Sequence, residues 1–154
     1  MEAVPTIAAK PFVLFRVRGQ WFAIPLVQVQ AIAPPGRITR VPNAPRGVRG
    51  VVDWRGKVWA LYDLGECLGL PGQPTGVSYM ILLGLKRSDM EVGFIAEEVR
   101  EIREIIPPSL EAVADREESC QGGITLEGLQ VVVLDGERFF TDLSAAISPI
   151  VSHL

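Results

Sequence analysis

The chain is patterned as short apolar runs separated by turn residues. Phe12-Val13-Leu14-Phe15-Arg16-Val17-Arg18 lies between Pro11 and Gly19 and ends in alternation, Phe15 and Val17 against Arg16 and Arg18. Gly19-Gln20 then leads into Trp21-Phe22-Ala23-Ile24, which predicts a hairpin, and Pro25 ends its second strand. From Leu26 to Ile32 the chain reads as a helical turn or a strand. The i, i+3, i+6 spacing of Leu26, Val29 and Ile32 favours the turn.

After the Ala33-Pro34-Pro35-Gly36 loop comes Arg37-Ile38-Thr39-Arg40-Val41, and then a strong break at Pro42-Asn43-Ala44-Pro45. Val48 to Trp54 and Lys57 to Tyr62 are strand-like and meet at Arg55-Gly56. Asp63 is placed to cap one helical turn that Gly69 and Pro71 stop. A loop from Pro71 to Gly76 forms a seam. Beyond it, Val77–Leu85, Glu91–Ile95 and Val99–Ile106 read as strands, and Pro107-Pro108 breaks the last. Residues 114–121 are polar. Ile124–Leu126 and Leu129–Leu134 form a hairpin around Glu127-Gly128, and Asp135 is placed to cap a final helix from Gly136 to Ile147. About ten short strands with few helices predict an all-β barrel or sandwich. The first ~70 residues and the remainder hold about five strands each. No internal repeat is visible at the level of residues.

Composition sets the scale. The chain has 154 residues, 48% hydrophobic and 21% charged, which fits one ordinary domain or two very small ones and excludes a disordered segment. No run reaches the ~18–20 apolar residues of a membrane span, and Met1 to Lys10 lacks the basic start of a signal peptide. A cytoplasmic protein is expected, with Cys67 and Cys120 as reduced thiols. Catalytic sets are missing. The one histidine, His153, is next to the last residue, no glycine-rich phosphate loop precedes a helix, and Tyr62-Asp63 has no supporting pattern as an acid–base pair. The adjacent pairs Glu97-Glu98 and Glu117-Glu118 point to opposite faces if they lie on strands. Neither an enzyme nor a metal or other cofactor is expected.

Charge is uneven. Residues 1–85 hold nine Lys/Arg against four Asp/Glu, 86–118 hold five against ten, and 119–154 hold one against four. The net of −3 therefore conceals a basic front and an acidic back. Arg37, Arg40, Arg46, Arg49, Arg55 and Lys57 surround a lone Asp53. They read either as solvated strand edges that resist edge-to-edge pairing or as a surface that attracts an acidic partner.

Three stretches of this front half, Ile38-Thr39-Arg40-Val41-Pro42-Asn43-Ala44-Pro45, Val48-Arg49-Gly50-Val51-Val52-Asp53-Trp54-Arg55-Gly56 and Val58-Trp59-Ala60-Leu61-Tyr62-Asp63-Leu64, closely resemble the CheW-like family. The family pattern reads I-T-x-V-P-N-x-P … G-V-x-N-L-R-G-x-V-x-P-x-x-D-L. Upstream, Phe22-Ala23-Ile24-Pro25-Leu26-Val27-Gln28-Val29-Gln30 is similar to the family's Y-A-I-P-x-x-x-V-x-E-I. Downstream, Val92-Gly93-Phe94-Ile95-Ala96-Glu97-Glu98-Val99 is similar to its V-G-L-I-V-D-x-V. The resemblance covers about residues 11–147 in order and is far more specific than a single short motif.

The resemblance implies two five-stranded SH3-like barrels packed side by side, with short helical turns and a C-terminal helix. Residues 11–147 would form one domain of two barrel subdomains, with 1–10 and 148–154 as loose ends. It implies a non-catalytic adaptor that couples a chemoreceptor's helical tip to the regulatory domain of a CheA-like histidine kinase, with no cofactor, nucleic acid or direct membrane insertion. By carry-over, Val29, Gly50 and Arg55 belong to the coupling site. Arg40, Gly56 and the departures Ala31 and Asp53 complete the candidate set. Ala31 stands where the family has glutamate, and Asp53 and Trp54 replace the asparagine and leucine before Arg55. Asp53 and Arg55 share a face of a regular strand, so an Asp53–Arg55 contact, or a network with Arg49 or Arg40, is expected. Trp54 and Trp59 are expected in the core, with an altered partner surface as the other reading. Gly50 reads as a bend or close approach, and Val29 as core or groove wall.

Two other outcomes remain open on sequence. One is a scaffold of a type IV pilus or other non-flagellar chemosensory pathway. The other is an SH3-like-barrel nucleic-acid binder, which the acidic back half and the lack of interleaved aromatics in 37–57 oppose.

Overall fold

A computed structural model describes residues 10–72, 76–85, 91–105 and 120–140. Ten strands are present among them. The first five are β1 (Lys10–Val17), β2 (Gln20–Pro25), β3 (Val29–Ala33), β4 (Val48–Trp54) and β5 (Lys57–Tyr62). After the helix α1 (Leu64–Leu68) come β6 (Tyr79–Leu83), β7 (Val92–Ala96), β8 (Glu98–Ile105), β9 (Cys120–Leu126) and β10 (Leu129–Leu134). They form two five-stranded sheets, ordered β8-β1-β2-β10-β9 and β3-β6-β7-β5-β4. Each sheet is one SH3-like barrel, called A and B below. The all-β, two-barrel expectation holds.

The allotment of strands differs from the sequence reading. Barrel B takes the middle of the chain, β3 to β7, while barrel A joins β1 and β2 from one end to β8, β9 and β10 from the other. The seam is therefore not at the 71–76 loop. In both sheets the pairings run antiparallel, antiparallel, parallel, antiparallel, in the orders given. Barrel A thus has the topology of barrel B with the chain cut at a different point. The repeat extends to detail: Asp63 and Asp135 each follow the second strand of a hairpin, seven residues after the turn glycines Gly56 and Gly128. It is hidden in the sequence because one copy is split between the chain's ends.

Three hairpins use the same two-residue turn. Arg18-Gly19, Arg55-Gly56 and Glu127-Gly128 have φ of 51° and 80°, 53° and 82°, and 50° and 83°. Positive φ at both central positions is the type I′ geometry, whose twist matches that of the flanking strands.

Several strands are buried on both faces, which explains why they read as nearly continuous apolar runs. Phe12, Leu14, Trp21, Ala23, Val131 and Val133 fill barrel A. Val52, Trp59, Leu61, Met80, Leu82 and Ile95 fill barrel B. The alternate residues of the same strands, including Phe15, Phe22, Ile24, Tyr62, Ile81 and Phe94, meet in a third cluster shared by the two barrels. Phe139 and Phe140, on the helical turn 136–140, seal this shared layer.

Two polar clasps cross the junction. Arg18, from the β1–β2 turn, pairs through Nη2 with Asp63 Oδ2 at 3.0 Å and Glu66 Oε2 at 3.4 Å, and its Nη1 donates to the carbonyls of Leu70 and Gly72. Gln28 Nε2 donates to Asp135 Oδ1 at 2.9 Å, and Gly136 N donates to Gln28 Oε1 at 2.7 Å. Both aspartates also cap: Gly65 N donates to Asp63 Oδ1 at 2.9 Å and Glu137 N to Asp135 Oδ1 at 3.0 Å. The helix starts expected at both places are present. The polar stretch 114–119 and the helix beyond residue 140 lie outside the described residues, as do Glu117, Glu118 and His153.

The segment from Leu26 to Ile32 divides. Leu26–Gln28 is a 3-10 turn and β3 follows at once, because the edge of β6 pairs with Val29 and Ala31 through Ala33. Of residues 37–41, Thr39 alone bridges, to Val51: the amide of each residue donates to the other's carbonyl at 2.8 Å. That bridge carries the chain after β3 onto β4. Gly50, buried beside it, has no room for a side chain: a Cβ there would lie 2.6 Å from Thr39 O and 2.7 Å from Ile38 Cγ2. The close-approach reading of Gly50 follows directly. Gly50→Ala is expected to cost roughly 1–3 kcal/mol through forced displacement and to speed amide exchange at Val51. Urea denaturation and hydrogen exchange measure both, and unchanged Val51 protection contradicts the steric account.

Candidate functional site

The proposed coupling residues fall in three places on barrel B. Val29 and Ala31 lie on β3, where Val29 packs partly against the shared layer and Ala31 against the interior of barrel B. Arg40 and Gly50 flank the Thr39–Val51 bridge, with Arg40 exposed. Asp53, Arg55 and Gly56 share the β4–β5 turn. Sheet order puts β3 and β4 at opposite edges, so Ala31 does not sit across a strand pair from Arg55.

The expected Asp53–Arg55 contact does not form, and neither aspartate–arginine alternative replaces it among the described residues. Asp53 Oδ1 instead accepts from Gly56 N at 3.3 Å, locking the turn. Arg55 turns its guanidinium over the Trp54 ring, 4.5 Å from the centroid. The positive φ at Arg55 is what breaks the regular i, i+2 alternation behind the expectation. A cation over a half-buried indole gains roughly 0.5–1 kcal/mol, which biases the side chain toward this orientation without offsetting its full rotamer entropy.

The two tryptophans part ways. Trp59 is 2% exposed and among the largest buried side chains, inside barrel B. Trp54 is half-buried at the rim and meets Trp59 edge-on at 6.2 Å. Trp59 is core, as expected. Trp54 is both the lid of the core and the platform for Arg55. Val58, opposite Asp53, is 60% exposed, and Val41 is also exposed. At the junction of the barrels Val27 is 73% exposed, and Ile102 on β8 is exposed as well.

The basic stretch is not one patch. Lys57 is 3.7 Å from Glu91, Arg55 lies on Trp54, and Arg37 and Arg40 are exposed. Arg46 and Arg49 line a groove against α1. Acidic residues earlier weighed as chemistry have structural work. Glu97 accepts from Gly19 N at 3.3 Å and lies 3.7 Å from Arg16, and Glu98 pairs with Arg16 and Arg100. Asp63 is 4% exposed and committed to Arg18 and the helix cap. Burial, and then the neighbouring Cys67, push the Tyr62 phenol above its usual value. Cys67 is a thiol outside any disulfide. Among the described residues no group of three His, Cys, Asp or Glu is arranged to hold a metal ion, and no helix is long and apolar enough to cross a membrane.

Sequence reasoning missed Arg18 and Gln28. Each works across 45 or more residues of chain, and neither sits in a pattern that marks it. The glycines beside them mark the contacts: a Cβ at Gly65 would run into the Arg18 side chain, and one at Gly136 would lie 2.9 Å from Gln28 Oε1.

Comparison with known proteins agrees with this geometry. The family model described as a CheW-like domain matches residues 11–144. The "Probable chemotaxis protein CheW" of Rhizobium etli is 27% identical over 139 residues, covering 86% of this chain and 88% of that protein. "Protein PilI" of Pseudomonas aeruginosa is 29% identical over 85 residues, covering 55% of this chain and 47% of that protein. The crystal structure of the scaffolding protein TtCheW from Thermoanaerobacter tengcongensis superposes with a TM-score of 0.71 at 20% identity, covering 82% of this chain and 89% of that one. With the family pattern running through both barrels, the chain belongs to the CheW-like family: it is a coupling adaptor of chemotaxis signalling and not an enzyme.

Proposed function

We propose that this adaptor joins the regulatory domain of a CheA-like histidine kinase to the helical tip of a chemoreceptor in the cytoplasm, and that the β4–β5 turn of barrel B is a principal contact. The observation that carries the reading is the Arg55–Trp54 stack. It aims the guanidinium, which has no ion-pair partner among the described residues, from the same hairpin that exposes Val58. A planar cation framed by apolar surface suits a partner carboxylate or a row of carbonyls, and Arg and Trp are the residue types that most often dominate interfaces. Val29, Ala31, Arg40, Gly50, Asp53 and Gly56 complete the proposed surface, with Gly50, Asp53 and Gly56 acting by holding the backbone that presents Arg55. The exposed Val27 at the barrel junction offers apolar area to an amphipathic helix.

Arg55→Ala is expected to weaken binding to the kinase regulatory domain or to the receptor tip by about tenfold or more, with an unchanged circular dichroism spectrum. Titration calorimetry with each purified partner reads the effect. Undiminished affinity for both partners removes Arg55 from the contact.

A further inference from the structure

A second surface lies at the other end of barrel B. The loop 44–49 and α1 enclose a groove of about 520 Å³. Arg46, Arg49, Glu66 and the Arg18–Asp63 pair line it. Arg18 and Asp63 neutralise each other. Arg46 and Arg49 make no ion pair among the described residues, and with three arginines against Asp63 and Glu66 the groove carries a net positive charge.

Their placement is built into the backbone. The pairing of β4 with β5 shifts between Val48 and Gly50, which leaves Arg49 as the extra residue of a bulge. A bulge re-aims a side chain out of strand alternation, and Arg49 is turned to the groove. The loop itself is stiff: Pro42 and Pro45 fix their own φ, Ala44 N donates to Val41 O at 3.2 Å, Val48 N to Pro45 O at 3.1 Å, and Asp63 N to Gly47 O at 2.7 Å. Gly47 packs against the Cys67 side chain so closely that a Cβ would run into Sγ. A preorganised site loses little entropy on binding.

We propose that this groove docks an acidic peptide segment of a partner protein, which presents two carboxylates to Arg46 and Arg49. Glu66 selects peptide over nucleic acid. It accepts from Arg18 Nη2 at 3.4 Å, and its half-exposed carboxylate repels a phosphate backbone while keeping acceptor capacity for a peptide's N–H groups. The lining also has no aromatic ring on which a base stacks. The groove is separate from the Arg55 turn. β5 leaves that turn at Lys57 and reaches the α1 end at Tyr62, a span of roughly 17–20 Å. A partner seated on Arg55 therefore leaves the groove open, and one adaptor can hold an acidic segment at the same time.

The test is an amide-shift titration of the isotope-labelled protein with a twelve-residue peptide carrying Glu-x-x-Glu, beside its Gln-substituted twin. The acidic peptide is expected to shift amides in 44–49 and 64–69, and the twin to shift none. Arg46→Glu with Arg49→Glu is expected to weaken binding by about tenfold, and Glu66→Gln to strengthen it, a gain that damage to the fold does not mimic. Arg55→Ala is expected to leave peptide binding unchanged, so this site and the proposed coupling contact stand or fall separately. The proposal is overturned if the peptide does not bind or its shifts centre on the Arg55 turn. It is also overturned if an Arg37→Glu, Arg40→Glu control loses as much affinity, or if labelled single-stranded RNA binds as tightly through Arg46 and Arg49.

Discussion

Asp63→Ala is expected to destabilise the protein by roughly 3–5 kcal/mol, the range for removing one partner of a buried ion pair. Both carboxylate oxygens are in use, one on Arg18 and one on the α1 cap. The Arg18 side chain is 10% exposed, so its charge cannot recover full hydration when Asp63 is gone. Glu66 and two carbonyls remain beside it, which keeps the loss from exceeding that range. Asp63→Asn separates the contributions, since the amide oxygen still caps the helix while the charge is lost. Urea denaturation of Asp63→Ala, Arg18→Ala and the double variant gives the coupling directly. A coupling above about 1 kcal/mol is expected for such a pair, against the 0–1 of exposed ones. Additive losses in the two single variants contradict a clasp between the barrels.

Phe94→Ala is the other large effect, about 3–5 kcal/mol for an aromatic deleted from a packed core. Phe94 is fully buried in the shared layer. It stacks on Phe15 of barrel A at 6.1 Å and on Phe140 at 5.3 Å, and meets Phe139 edge-on at 5.5 Å. No nearby chain can collapse into that space without moving one of these rings. Because this layer belongs to both barrels, the wild-type protein is expected to unfold in one transition, with the variant's transition at lower denaturant. Calorimetry checks the first statement and urea denaturation the second. Two resolved transitions in the wild type mean that the barrels stand independently.

These effects also show what the sequence displays. Turns were legible, because Arg55-Gly56 and Glu127-Gly128 announce themselves by residue type, and so were the caps at Asp63 and Asp135. The strands were legible from apolar runs bounded by Gly and Pro. The assignment of strands to barrels was not, since a strand buried on both faces carries no mark of which neighbour it will join. The Arg55 site was half legible. The family pattern singled out Arg55, but regular alternation pointed it toward Asp53. The positive φ of the turn sends it to Trp54 instead, and alternation arguments fail wherever a type I′ turn intervenes. The roles of Arg18 and Gln28 depend on contacts across 45 to 108 residues, beyond any local pattern.

The nested topology also sets an order of events during synthesis. Residues 29–96 contain every strand of barrel B, so all of its strands are out when 96 of the 154 residues have left the ribosome. At that moment β1 and β2 have been out longest and have only each other to pair with, because β8, β9 and β10 have not yet emerged. The apolar residues of β1 and β2 then lack the strands that complete barrel A. Domains fold as units during translation, and exposed strand edges in such intermediates invite association. A newly made chain is thus most vulnerable between the completion of one barrel and the arrival of the last hairpin, and the earliest-made strands are the last to find their place.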